Sequence, residues 1–185
     1  MRKTLRNKEV KELINTINDV YSYTELTKKD KIEIVDNVIL INNKSMFFYF
    51  EKKIVPTLKL LLQDNFLKKI TVDMGAIPYA VKGADMMRPG VVKIDEDIKK
   101  SSIVSVIDEK HSKPVMVGIA LFETNEMKNM NSGKVVKNIH FIGDAFFAFS
   151  PSFAQGASQS IESAYELFKS IENKFFKTMK NFNYI

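Results

Sequence analysis

The chain has 185 residues, 45% hydrophobic and 27% charged, with no cysteine and a formal net charge of +6. This composition excludes an intrinsically disordered chain and a disulfide scaffold, and it leaves no thiolate to hold a metal. The opening MRKTLRNKEVKEL lacks an apolar core and no stretch approaches the length of a membrane span, so neither a signal peptide nor a transmembrane helix is expected, and a cytoplasmic location is.

Taken in chain order, the first predicted element is a helix from about Asn7 to Asp19, with Val10, Leu13, Ile14 and Ile17 at helical spacing on one face. Basic residues are densest just before and within it, at Arg2, Lys3, Arg6, Lys8 and Lys11. Such a cluster is either a solvated helix face or a phosphate-tracking patch whose binding weakens with salt. Ile32 to Asp36, Val38 to Asn42 and Met46 to Glu51 read as three strands, the last two forming a hairpin about Asn42-Asn43-Lys44. Within that hairpin Phe47, Phe48, Tyr49 and Phe50 alternate between faces and suit a core and a domain interface better than base stacking. Ile54 to Leu62 reads as a second helix with Pro56 in its first turn.

From Ile70 the pattern shortens to strands: Ile70 to Val72, Val91 to Ile94, Ile103 to Asp108, Val115 to Phe122 and Val135 to Ile142, with a short helix from Glu123 to Met130. Short strands at close intervals, with helices only at corners, predict a small β-barrel rather than a parallel sheet. Between the first two of these strands lies Thr71 to Val92, TVDMGAIPYAVKGADMMRPGVV, in which three glycines and two prolines interrupt any long element. It reads as strand, turn, a short helix through Ile77 to Lys82, and turn, with Lys82 and Arg88 beside the turns and amides at a helix start that attract anions.

The ordered motifs Asp73-x-Gly75-Ala76, Gly83-Ala84, Pro89-Gly90-Val91, Gly133-Lys134-Val135-Val136 and Ile139-His140-Phe141-x-Gly143-Asp144 resemble the PUA domain. The resemblance is to the archaeal and eukaryotic branch in which a small α/β pre-PUA domain comes first, a branch that includes translation re-initiation and density-regulated factors. It implies an α+β chain: a pre-PUA domain over residues 1–69 and a mainly β PUA pseudo-barrel over 70–149; residues 150–185, unlike the end of a PUA protein, read from their own spacing as a C-terminal helical extension. It implies RNA as the partner, a role in translation, tRNA or rRNA metabolism or ribosome biogenesis, and a translation-factor protein as a further partner. RNA is held in such domains between the glycine loop, the short helix and a late strand, here Gly75 to Gly90 and about Lys134 to Phe141. Lys82, Arg88, Lys134 and Lys137 are then the candidate phosphate contacts, and the backbone at Gly75, Ala76, Gly83 and Ala84 either approaches RNA closely or only shapes the turns. Asp73 and Asp85 read as cap or turn residues.

No cofactor, metal site or catalytic residue is expected, since the two histidines, His111 in a turn and His140 in a strand, have no partner pattern. The rival function is a protein-interaction module. Gly143-Asp144-Ala145, Phe149-Ser150-Pro151 and Gln155-Gly156-Ala157-Ser158-Gln159 are similar to a flavin-contacting motif of FAD-dependent monooxygenases, but the chain has no G-x-G-x-x-G to hold the dinucleotide, which argues against a flavoenzyme. The tail also predicts a helix from Gln155 or Ser158 to Lys177, and Phe146, Phe147 and Phe149 a last barrel strand.

Overall fold

Alternating apolar residues in the first third build a five-stranded antiparallel sheet covered by one helix. In the computed structural model, which describes residues 2–139, β1 (Arg2–Thr4), β2 (Ile32–Val35), β3 (Val38–Ile41), β4 (Lys44–Phe50) and β5 (Lys53–Pro56) lie side by side in chain order. The register Ile32↔Ile41, Ile34↔Ile39 and Ile39↔Phe47 brings one set of side chains to a common face. There they pack against Val10, Leu13 and Ile17 of helix α1 (Asn7–Tyr21). Phe47 is fully buried in this layer, with the rings of Tyr21 and Tyr23 against it at 6.4 and 5.8 Å. Tyr21 donates its hydroxyl to the carbonyl of Ile54, and burial pushes its ionisation upward.

The hairpin expected about Asn42-Asn43 is present, both asparagines taking positive φ between β3 and β4. The helix expected from Ile54 to Leu62 is not. Ile54 and Val55 pair with Tyr49 and Phe48 as β5, and the helix α2 is confined to Leu58–Leu61. The β-branched pair favours the sheet, Pro56 ends the strand, and Thr57 caps α2 by accepting the Leu60 N–H at 3.2 Å. The turn that makes this possible is Glu51-Lys52, both at positive φ.

The second sheet is six-stranded: β6 (Lys69–Val72), β7 (Met86–Met87), β8 (Val91–Ile94), β9 (Ile103–Asp108), β10 (Pro114–Ala120) and β11 (Lys134–Asn138), in the order β7-β11-β10-β9-β6-β8. All neighbours are antiparallel except β6 and β9. The two edge strands, β7 and β8, are joined by only the 3-10 turn Arg88–Gly90, so the sheet curls into a barrel around Ile70, Val72, Val104, Val106, Val135 and Val136. Helix α3 (Ile77–Val81) follows β6, and α4 (Thr124–Asn129) closes one end with Met127 buried in the core.

The first sheet is also buried on its other face, at Val38, Leu40, Phe48 and Val55. Helix α2 touches both β4 and β10. Polar ties cross as well: Lys53 donates to the Ser101 carbonyl at 2.5 Å, and Lys137 lies 3.3 Å from Glu51 and over the Phe50 ring. Phe47 and Phe48 thus serve core and interface, the role expected for the aromatic run. The expected tail helix, the strand of Phe146, Phe147 and Phe149, His140 and the flavin-like motif lie outside the described residues. Among the described residues no helix is long and apolar enough to cross a membrane.

Candidate nucleic-acid interface

The stretch from Asp73 to Gly90 is shaped by bonds within itself and by ties to β11 and α4. The Asp73 carboxylate accepts the Ala76 N–H at 2.8 Å, and the Asp73 N–H donates to the Gly90 carbonyl at 3.0 Å. Gly90 is required by the close approach of the seam: a Cβ there would stand 2.9 Å from that of Ala76. At the far end of α3, the Gly83 N–H donates to the Ala80 carbonyl and the Ala84 N–H to the Tyr79 carbonyl, at 3.1 and 3.0 Å. This is a Schellman turn, and Gly83 takes the positive φ of 88° that it needs.

Two expectations change here. The anion-attracting helix start is already occupied by the chain's own Asp73 carboxylate. The amides of Ala76, Gly83 and Ala84 are likewise satisfied internally.

Arg88 is corrected as well. Its Nε donates to the Met127 carbonyl at 2.7 Å and its Nη1 to the Val91 carbonyl at 3.0 Å. With its N–H on the Gly133 carbonyl at 2.8 Å, Arg88 is half-buried and fastens the barrel seam to the end of α4. It is not a free cation on a rim.

The remaining candidates sit where α3 meets β11. Asn138 donates its side-chain amide to the carbonyls of Ala80 and Ala84, at 3.0 and 3.1 Å, and its backbone N–H to Asp85 at 3.0 Å. The other oxygen of Asp85 lies 2.9 Å from the Lys134 ammonium. The Asn138 N–H, with Lys134 behind it, holds the Asp85 carboxyl below the usual carboxylate range. Asp85 is thus a tie to β11 rather than a cap. Lys82, at the end of α3, is exposed and pairs with no described carboxylate. Lys137 points its ammonium to Glu51 of the β4–β5 turn, yet remains near enough to Asp85 to lower its carboxyl further.

Sequence reasoning missed two kinds of residue. Asn138 clamps the turn, and nothing in a lone asparagine at a strand end signals that. Tyr79, Val81 and Met87 are exposed large side chains on and beside α3, Tyr79 at 67%. Helix α3 buries only Ala80, and the neighbouring Tyr79 faces outward.

Known proteins match in the same two parts. A model described as the PUA domain matches residues 68–142, and a domain of unknown function, DUF1947, matches residues 1–64. An uncharacterized protein of Methanocaldococcus jannaschii is 39% identical over 152 residues, covering 78% of this chain and 94% of the relative. Translation machinery-associated protein 20 of Saccharomyces cerevisiae is 29% identical over 162 residues, 81% of this chain and 88% of the relative. The crystal structure of a hypothetical protein from Pyrococcus horikoshii has a TM-score of 0.70 and 32% identity, covering 81% of this chain and all of that one. The flavin resemblance of residues 143–168 finds no support among these matches. A barrel closed by the Arg88–Gly90 seam, a preceding α+β layer, and a relative this similar over nearly its whole length lead to one assignment: the chain belongs to the PUA-domain family in which a DUF1947 domain precedes the PUA domain.

Proposed function

We propose that this protein binds RNA at the edge formed by α3, its Schellman turn and β11, and does so in translation, in tRNA or rRNA metabolism, or in ribosome biogenesis. Residues 1–69 act as the supporting pre-PUA domain and 70–149 as the RNA-binding PUA domain. The observation that carries this is the α3–β11 edge itself, where Lys82 stands on a turn pinned by Asn138, Lys134 of β11 reaches that turn through Asp85, and Tyr79 is exposed on α3. Cations of this kind bind phosphates, and an exposed aromatic ring stacks on an unpaired base. The link to translation is supported by similarity to translation machinery-associated protein 20. An unpaired RNA end or bulge fits such an edge better than a regular duplex, whose deep groove hides its bases. The Lys134–Asp85 pair is half-exposed and opens at little cost when a phosphate competes.

The test is fluorescence anisotropy with hairpins that carry or lack a single-stranded 3′ overhang, at two salt concentrations. The overhang should bind more tightly and weaken with salt. Lys82→Glu/Lys134→Glu should lose about tenfold or more and flatten the salt dependence. Unchanged affinity in this folded variant would refute the site.

A further inference from the structure

We propose a second binding surface, independent of the RNA reading: the groove between α1 and the Asp97–Ile103 side of the second sheet docks an acidic amphipathic segment of a partner protein. The groove has a volume of about 980 Å³. Its apolar lining includes Val20, Tyr21, Ile34, Tyr49, Ile54 and Phe66. Val20 is 63% exposed on the last turn of a helix that otherwise turns its apolar residues inward. The aromatic part is fixed in advance: the Tyr21 and Phe66 rings meet at 5.8 Å and the Tyr21 hydroxyl is held by Ile54. A preformed floor lowers the ordering cost of binding.

The rim carries Lys3, Lys52, Lys53, Lys68 and Lys99 against Glu9, Glu12 and Asp97. Lys3 already neutralises Glu9 at 2.6 Å. Lys52, Lys68 and Lys99 are exposed and pair with no described carboxylate. An aliphatic and aromatic floor within a lysine rim matches a helix with leucines on one face and carboxylates beside them. A nucleic acid strand would leave Val20, Ile34 and Ile54 without partners of their kind. A second copy would bring its own net charge of +6 to the lysines, and residues 141–185 carry four acidic and four basic side chains, with no acidic bias to offer.

The probe is a fluorescein-labelled peptide about 18 residues long, five helical turns, with leucines on one helical face and glutamates elsewhere. A companion peptide has lysine in place of glutamate. The full chain should bind the glutamate peptide and not the lysine one, with affinity falling as salt rises. Lys52→Glu/Lys68→Glu/Lys99→Glu should weaken binding about tenfold or more. Val20→Glu, at an exposed position, should do the same while leaving the urea midpoint unchanged. Lys82→Glu/Lys134→Glu should bind the peptide normally, which separates this surface from the RNA edge. No binding of the glutamate peptide, equal binding of both peptides, or insensitivity to Val20→Glu would overturn the proposal. So would displacement of the peptide from the parent chain by single-stranded RNA that still binds the Lys82/Lys134 variant, which would give the groove to RNA.

Discussion

Arg88, in the 3-10 turn after β7, and Lys134, on the neighbouring strand β11, are two cations that the barrel uses in opposite ways. Lys134 stands across from Met87 in the β7–β11 register, one residue from Arg88. Arg88 turns its planar donors onto the Met127 and Val91 carbonyls and becomes part of the seam. Lys134 remains 60% exposed with a single ion pair. A guanidinium serves two fixed acceptors at once, whereas an ammonium on a flexible stem trades one partner for another. The seam arginine therefore serves the fold, and Lys134 is the cation left for the proposed RNA contact.

Breaking the seam should have the larger effect on folding. Arg88→Ala removes a donor from each of two partly buried carbonyls, that of Met127 keeping only the Met130 N–H at 3.4 Å, and should cost about 1–3 kcal/mol, read from urea denaturation. If it left stability unchanged but abolished RNA binding, seam and edge would have been assigned the wrong way round. Next comes Gly83→Ala, which forces a side chain to a φ of 88°. It should cost about 1–2 kcal/mol and weaken RNA binding indirectly by moving Lys82. Lys134→Ala is the mild case. Its exposed pair should contribute at most about 1 kcal/mol, so the urea midpoint should hardly move.

A third cation sharpens the contrast at low pH. Arg2 lies 2.7 Å from the buried carboxylate of Glu33. The Arg2 guanidinium, with Lys31 assisting, holds the Glu33 carboxyl at about 2 against its ordinary 4.5, although burial works the other way. A lowered folded pKa means that this stabilisation is complete above 4.5 and is lost as the pH falls toward 2. The stability difference between the parent chain and Glu33→Gln should therefore shrink across that window. A difference independent of pH would remove Arg2 from the role of a structural tie.

Much of the fold was legible because pattern and propensity agreed. The α1 periodicity, the Asn42-Asn43 turn and the runs of β8 and β9 each pointed one way. Strand β5 was hidden because its turn, Glu51-Lys52, uses residues that rarely take positive φ, so the apolar run after it merged with α2. For the candidate site, the chain segments could be read but the wiring could not. Whether Arg88 reaches solvent depends on where the Met127 carbonyl of α4 falls, and whether the Ala76 amide is free depends on the rotamer of Asp73. Both are tertiary facts that no local spacing encodes. Asn138 acts across the barrel on residues far earlier in the chain, and for the same reason it left no trace in the sequence.

The central claim is that RNA lies on α3 and β11. The most direct measurement is photo-crosslinking of a 4-thiouridine RNA with a single-stranded 3′ end to the full chain, followed by mass spectrometry of the attached peptides. The modified residues should fall within 79–87 and 134–138, with Tyr79 foremost, and crosslinking should drop in Lys82→Glu/Lys134→Glu. Crosslinks confined to the first sheet, or a yield unaffected by those two substitutions, would contradict it.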